Sequence, residues 1–112
     1  MELLAKEFES LGYQVDRSYA QQGVLVLKEY RIAVGLHAGT TVDVGVVGQD
    51  FPFTPPAGIH VNPSLATNGI NNISQSPLGG AWQYWSRRLS DWSTNRNAKH
   101  IISYINKVFA DA

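Results

Sequence analysis

The chain contains no cysteine. That excludes a disulfide framework and every zinc site built on thiolates. It also removes any thiolate nucleophile. A thiol with a pKa near roughly 8.5 supplies some thiolate at neutral pH, whereas a hydroxyl must be activated by a base beside it. Net charge is missing as well, since nine Lys and Arg residues balance nine Asp and Glu residues. A neutral chain carries no nucleic-acid footprint, so no nucleic-acid partner is expected, and weak self-repulsion leaves copies free to associate. No apolar run approaches the roughly 20 residues that span a bilayer, so no membrane partner is expected either. The first residues, Met1-Glu2-Leu3-Leu4-Ala5-Lys6-Glu7, lack a basic region followed by an apolar stretch, which argues against a signal peptide and for a cytoplasmic setting. His37, His60 and His100 are widely spaced and no His-Glu-x-x-His pattern occurs, so no metal is expected. Gly79-Gly80 is an isolated pair without a phosphate-cradling context, and no cofactor is expected.

What is present suits one domain over residues 1–112, with 44% apolar residues. Leu3, Leu4, Phe8 and Leu11 fall at helical spacing ahead of Gly12, and predict an amphipathic helix near residues 2–11 with a core-facing stripe. Residues 24–27 form a continuous apolar run of strand length. Ile32, Val34 and Leu36 alternate with Arg31, Ala33, Gly35 and His37, which predicts a half-buried strand. A turn over 37–40 and a second alternating strand on Val42, Val44 and Val46 follow. Gly48-Gln49-Asp50 breaks it, and 59–61 adds one more short strand. Strands this close in sequence predict an antiparallel meander. Residues 64–81 are polar and turn-rich. A loop this long inside a small domain is either functional or mobile. Ile101, Ile102, Ile105, Val108 and Phe109 share one face of a final helix, with Ser93, Thr94, Asn95 and Asn97 ahead of it as potential caps. The fold class is therefore α+β, an antiparallel sheet flanked by helices at the two ends of the chain.

Several residues could carry chemistry. His60-x-Asn62 ends the last strand of the meander. His60 reads either as a histidine bonded to nearby backbone or, with Asn62, as part of an oxyanion-stabilising pair. Ser74, Ser76 and Ser86 lie in or beside the polar loop, where they either satisfy turns or, given a base, serve as an oxygen nucleophile. No Gly-x-Ser-x-Gly elbow is present. The three tryptophans, Trp82, Trp85 and Trp92, cluster near Arg87 and Arg88. Such a block packs on a core or forms an exposed platform for sugars, peptides or single strands.

The stretch Phe51-Pro52-Phe53-Thr54-Pro55-Pro56, followed by His60-Val61-Asn62-Pro63, is similar to the core of the ubiquitin-conjugating enzyme superfamily. So is the order helix, meander, Pro-Pro segment, His-x-Asn, loop, Trp92-Ser93, helix. The closer likeness is to the bacterial branch called prokaryotic family E, through Val42-Asp43, Pro55-Pro56, the short strand ending at Pro63, the Trp82-Gln83-Tyr84-Trp85-Ser86-Arg87 block and the terminal helix. The likeness covers most of residues 24–110, and its most specific part is the Trp-Ser-Arg block. Val61 stands where the eukaryotic family has proline, Arg88 stands where a histidine is expected in the bacterial branch, and the catalytic cysteine is absent. The resemblance implies a ubiquitin-conjugating-like fold. It also implies a ubiquitin-like protein and its activating enzyme as partners, in a bacterial modification pathway of the kind linked to defence against phage. With no cysteine, the implied role is binding, through Phe51, Phe53, Pro55 and Pro56. The alternatives are a transferase that uses a serine oxyester, and an unrelated module that binds through its aromatic surface.

Overall fold

The computed structural model describes residues 1–65 and 72–112. Helix α1 (Glu2–Ser10) and helix α2 (Ala98–Ala110) bracket six strands, β1 (Gln14–Asp16), β2 (Val24–Arg31), β3 (Thr41–Val47), β4 (Gly58–Asn62), β5 (Ile73–Gln75) and β6 (Gln83–Ser86). The strands form one sheet in the order β1-β2-β3-β4-β6-β5, and every neighbouring pair is antiparallel. The architecture is therefore α+β, with a meander through β4 that a hairpin extends in reversed order. No helix among the described residues is long and apolar enough to cross a membrane.

Alternation along the strands divides the sheet into two faces. Leu25, Leu27, Val42, Val44, Val46, Ile59, Val61 and Trp85 face the helices and form the main core with Leu4 and Phe8 of α1 and Ile101, Tyr104, Ile105, Val108 and Phe109 of α2. Asn97 caps α2, its Oδ1 accepting from the His100 N–H at 2.8 Å. The two helices are joined where the Ala98 N–H donates to Glu7 Oε1 at 2.9 Å. The opposite face carries a smaller cluster, Val24, Val26 and Trp82, with Tyr19 and Leu78 against it. The chain from Ser76 to Trp82 lies over this face: Ser76 N–H donates to the Trp82 carbonyl at 3.3 Å and Trp82 meets Tyr19 edge-on.

The expected strand on Ile32, Val34 and Leu36 does not form. Strand β2 runs on from the 24–27 run to Arg31, with a register shift between Leu27 and Tyr30 where Glu29 takes a positive φ of 54°. The ladder closes with Ile32 N–H on the Thr40 carbonyl and Gly39 N–H on the Ile32 carbonyl. Between them Gly35, at φ 90°, turns the chain against the end of α2, where an added Cβ would lie 2.2 Å from the Phe109 carbonyl oxygen. Period-two spacing survives in this loop without the ladder that gives it meaning, and Val34 and Leu36 are exposed. The α1 stripe is also narrower than its spacing implies, because Leu4 and Phe8 are buried whereas Leu3 and Leu11 are exposed. Part of the polar loop is strand, since β5 lies within it.

Candidate functional site

Two places on the molecule gather the candidate residues. The first is the sheet face that the helices leave open. Within β4, Ile59 and Val61 point to the core, so His60 and Asn62 point the other way. Register sets His60 opposite Gly45 on one side and Tyr84 on the other, with Ser74 next beyond Tyr84. Gly45 matters here, since a Cβ on it would lie 3.0 Å from His60 Cβ and 3.1 Å from Val24 Cγ1. The imidazole rests on the Tyr84 ring, with centroids 4.9 Å apart.

His60 is 3% exposed and Ser76 2% exposed, and they meet through His60 Nδ1 and Ser76 Oγ at 2.7 Å. The same Oγ accepts the Leu78 N–H at 3.1 Å. The buried Ser76 hydroxyl has no other acceptor in reach among the described residues, so its proton is assigned to Nδ1. The proton of the neutral ring then sits on Nε2. Burial lowers the His60 pKa to about 4, so the ring is neutral near pH 7.

This pair has the composition of a nucleophile and its base, but not the accessibility. Ser76 is sealed beneath its own turn, and its oxygen is committed to holding Leu78 in place. Ser74 is exposed, opposite Tyr84 and not against an imidazole. Asn62 is half-buried on the face of His60, in register with Asp43, which is itself engaged by the Lys28 ammonium at 2.8 Å and the Glu29 N–H at 3.1 Å. Its amide makes no hydrogen bond among the described residues. Among those residues no group of three metal-ligating side chains assembles.

The second place lies where β4 begins and β6 ends. Pro55, Pro56, Ala57, Asn72, Ser86, Arg87, Arg88 and Leu89 line a cavity of about 530 Å³. The Arg87 N–H donates to the Ala57 carbonyl at 3.1 Å and the Ser86 N–H to the Asn72 carbonyl at 2.9 Å, which ties the Pro-Pro segment to the end of the hairpin. The Tyr104 hydroxyl donates to the Arg87 carbonyl at 2.9 Å and anchors this corner to α2. Ser86 is exposed in this cavity, in register with Gly58 and without an imidazole beside it.

The four expected binding residues separate. Phe53 is 76% exposed, whereas Phe51 is 9% exposed and packs edge-on against Trp92, with centroids 6.0 Å apart. Phe51 is thus a core residue and not part of an open surface. The reason lies in Trp92, whose Nε1–H donates to the Pro52 carbonyl at 2.9 Å and draws the start of the segment inward. Pro56 is buried and Pro55 partly so. Trp82, Trp85 and Trp92 are all buried, so the aromatic-platform alternative has no exposed tryptophan to build on.

Sequence reasoning did not single out Gln22, Val47, Pro77 or Leu78, which join Val24 and His60 around a pocket of about 400 Å³ on the open face. The available signal was a polar His60 set between two apolar residues of a buried strand. Comparison with known protein families, with curated proteins and with solved structures finds no match to this chain.

Proposed function

We propose that the chain is a ubiquitin-conjugating-like domain that binds a ubiquitin-like protein or its activating enzyme and carries no covalent adduct. The setting is a bacterial ubiquitin-like modification pathway, of the kind that serves defence against phage. The sequence resemblance motivates this reading. The α+β arrangement, with its Pro-Pro segment between β3 and β4 and its terminal helix behind the sheet, is compatible with it. The observation that carries the binding role is Phe53, a large apolar side chain held 76% exposed beside Pro55 and Pro56. Prolines restrict the unbound chain, so little entropy is lost when a partner docks there. The non-covalent part rests on chemistry: the chain has no thiol, the exposed Ser74 and Ser86 have no imidazole beside them, and Ser76, which has one, is buried.

The test incubates the protein with a ubiquitin-like protein, the matching activating enzyme and ATP, followed by intact-mass measurement and by titration calorimetry. The expected result is binding without a mass increase. Phe53→Ala should weaken binding by about 1–2 kcal/mol, the range of an interface anchor, and leave the melting temperature unchanged. An adduct stable to thiol reductant but cleaved by hydroxylamine would replace this reading with a serine oxyester. Single Ser74→Ala, Ser76→Ala and Ser86→Ala variants would then locate it. Absence of both binding and adduct would reject the pathway altogether.

A further inference from the structure

We infer that the pocket on the helix-free face is a binding site for a compact, mostly apolar ligand bearing one neutral carbonyl oxygen, which would accept from His60 Nε2–H. It is a different site from the Phe53 surface and does not depend on that reading. The pocket holds about 400 Å³ and is lined by Gln22, Val24, Val47, His60, Pro77 and Leu78. That volume is within the range of small-molecule sites. Four of the six lining residues are apolar and none is charged.

The polar group in it is unusual. His60 is more than nine-tenths buried, and its Nδ1 is occupied by Ser76. Its Nε2 has no hydrogen-bond partner among the described residues. Among the described residues the only side-chain nitrogen or oxygen both sealed from solvent and unpartnered is His37 Nε2. His60 Nε2 therefore opens onto accessible space, and the pocket it lines is that space. An N–H left to the pocket gives the face one polar point among apolar walls, which an apolar residue at position 60 would not supply.

The chemistry of the walls selects the ligand. With Ser76 fixing the tautomer, Nε2 can only donate, so the ligand must accept. A carboxylate would be desolvated among Val24, Val47, Pro77 and Leu78 with no cation to balance it. An ammonium would find no anion and no strong acceptor beyond Gln22. A neutral carbonyl on a compact hydrocarbon body matches both the single donor and the apolar walls. Gly45 permits the arrangement, because any side chain there would press on His60 and Val24 from beneath. Water there would find only His60 and Gln22 as polar partners, the low end of the roughly two to four that hold an ordered water, so a ligand that accepts from His60 can displace it.

The probe is cyclohexanecarboxamide, titrated into isotope-labelled protein, with the His60 ring nitrogens and the Val24 and Val47 methyl groups followed by NMR. Saturable shifts at all three residues are expected in the millimolar range appropriate to a ligand of this size. Cyclohexanecarboxylate and cyclohexylammonium should each bind at least roughly tenfold more weakly, the ratio set by desolvating a charge without a partner. Val47→Phe narrows the pocket from its exposed rim and leaves the His60–Ser76 bond in place, so it should abolish saturation. Leu78→Phe does the same from the covering turn, should either variant fold poorly. Arg88→Ala, outside the pocket, should change nothing. The inference is overturned if the amide gives no saturable shift, if either charged probe binds as tightly as the amide, or if a folded Val47→Phe protein binds undiminished.

Discussion

Acid should destabilise this protein well above the pH at which its carboxylates protonate, and His60 is the reason. Its pKa falls from 6.5 to about 4 on folding, because burial in β4 against Tyr84 penalises the imidazolium. The ring is neutral in the folded chain across this interval, while the unfolded chain takes up a proton. Stability is therefore complete above the unfolded value and is lost as pH falls from about 6.5 towards about 4, where both forms become charged. A shift of this size corresponds to about 3 kcal/mol, a substantial part of the stability of a small domain. Glu2 and Glu9, bonded to Arg17, and Asp16, bonded to Ser18, titrate below their ordinary carboxyl values. Their contributions are present above the unfolded carboxyl range and are lost only at lower pH. The measurement is urea unfolding, followed by tryptophan fluorescence, at several pH values from about 7 to about 4. The reference is His60→Gln, which cannot titrate and keeps an acceptor for Ser76. The wild-type protein should lose about 3 kcal/mol more than the variant over that range. Parallel loss in the two proteins would refute the argument, as would a folded-state His60 pKa measured near its ordinary value.

Further outcomes follow from packing. Trp92→Ala removes the ring that holds Phe51 and the bond to the Pro52 carbonyl, and should cost about 3–5 kcal/mol by calorimetry, whereas Trp92→Phe should cost much less. Gly58→Ala would set a Cβ 2.4 Å from the Trp85 carbonyl oxygen and 2.6 Å from the Tyr84 hydroxyl. The β4–β6 pairing must then shift, with a loss of about 1–3 kcal/mol measurable in the same way. Asn97→Ala should cost about 1 kcal/mol through the lost cap of α2, visible as a lowered melting temperature.

Much of this molecule was legible in the order of its residues. The Val42, Val44 and Val46 alternation and the apolar face of 98–110 are local periodicities, and local geometry converts them directly into β3 and α2. The Trp-rich block could be recognised as core material because such area is seldom left exposed in a small domain. The cap at Asn97 is equally local. Alternation around Val34 and Leu36 failed because a strand exists only where a partner continues the ladder, and the chain beyond Ile32 turns instead through Gly35 onto the end of α2. Strand β5 escaped notice because three polar-flanked residues acquire strand character only by pairing with β6. The site depended still more on tertiary structure. Nothing local distinguishes Ser76 from Ser74 or Ser86, yet the turn over the open face carries Ser76 alone to the His60 ring. Phe51 and Phe53 are two residues apart with the same side chain. One is drawn under Trp92 and the other is left in solvent, because burial is decided by what folds back from residue 92, forty positions further along the chain.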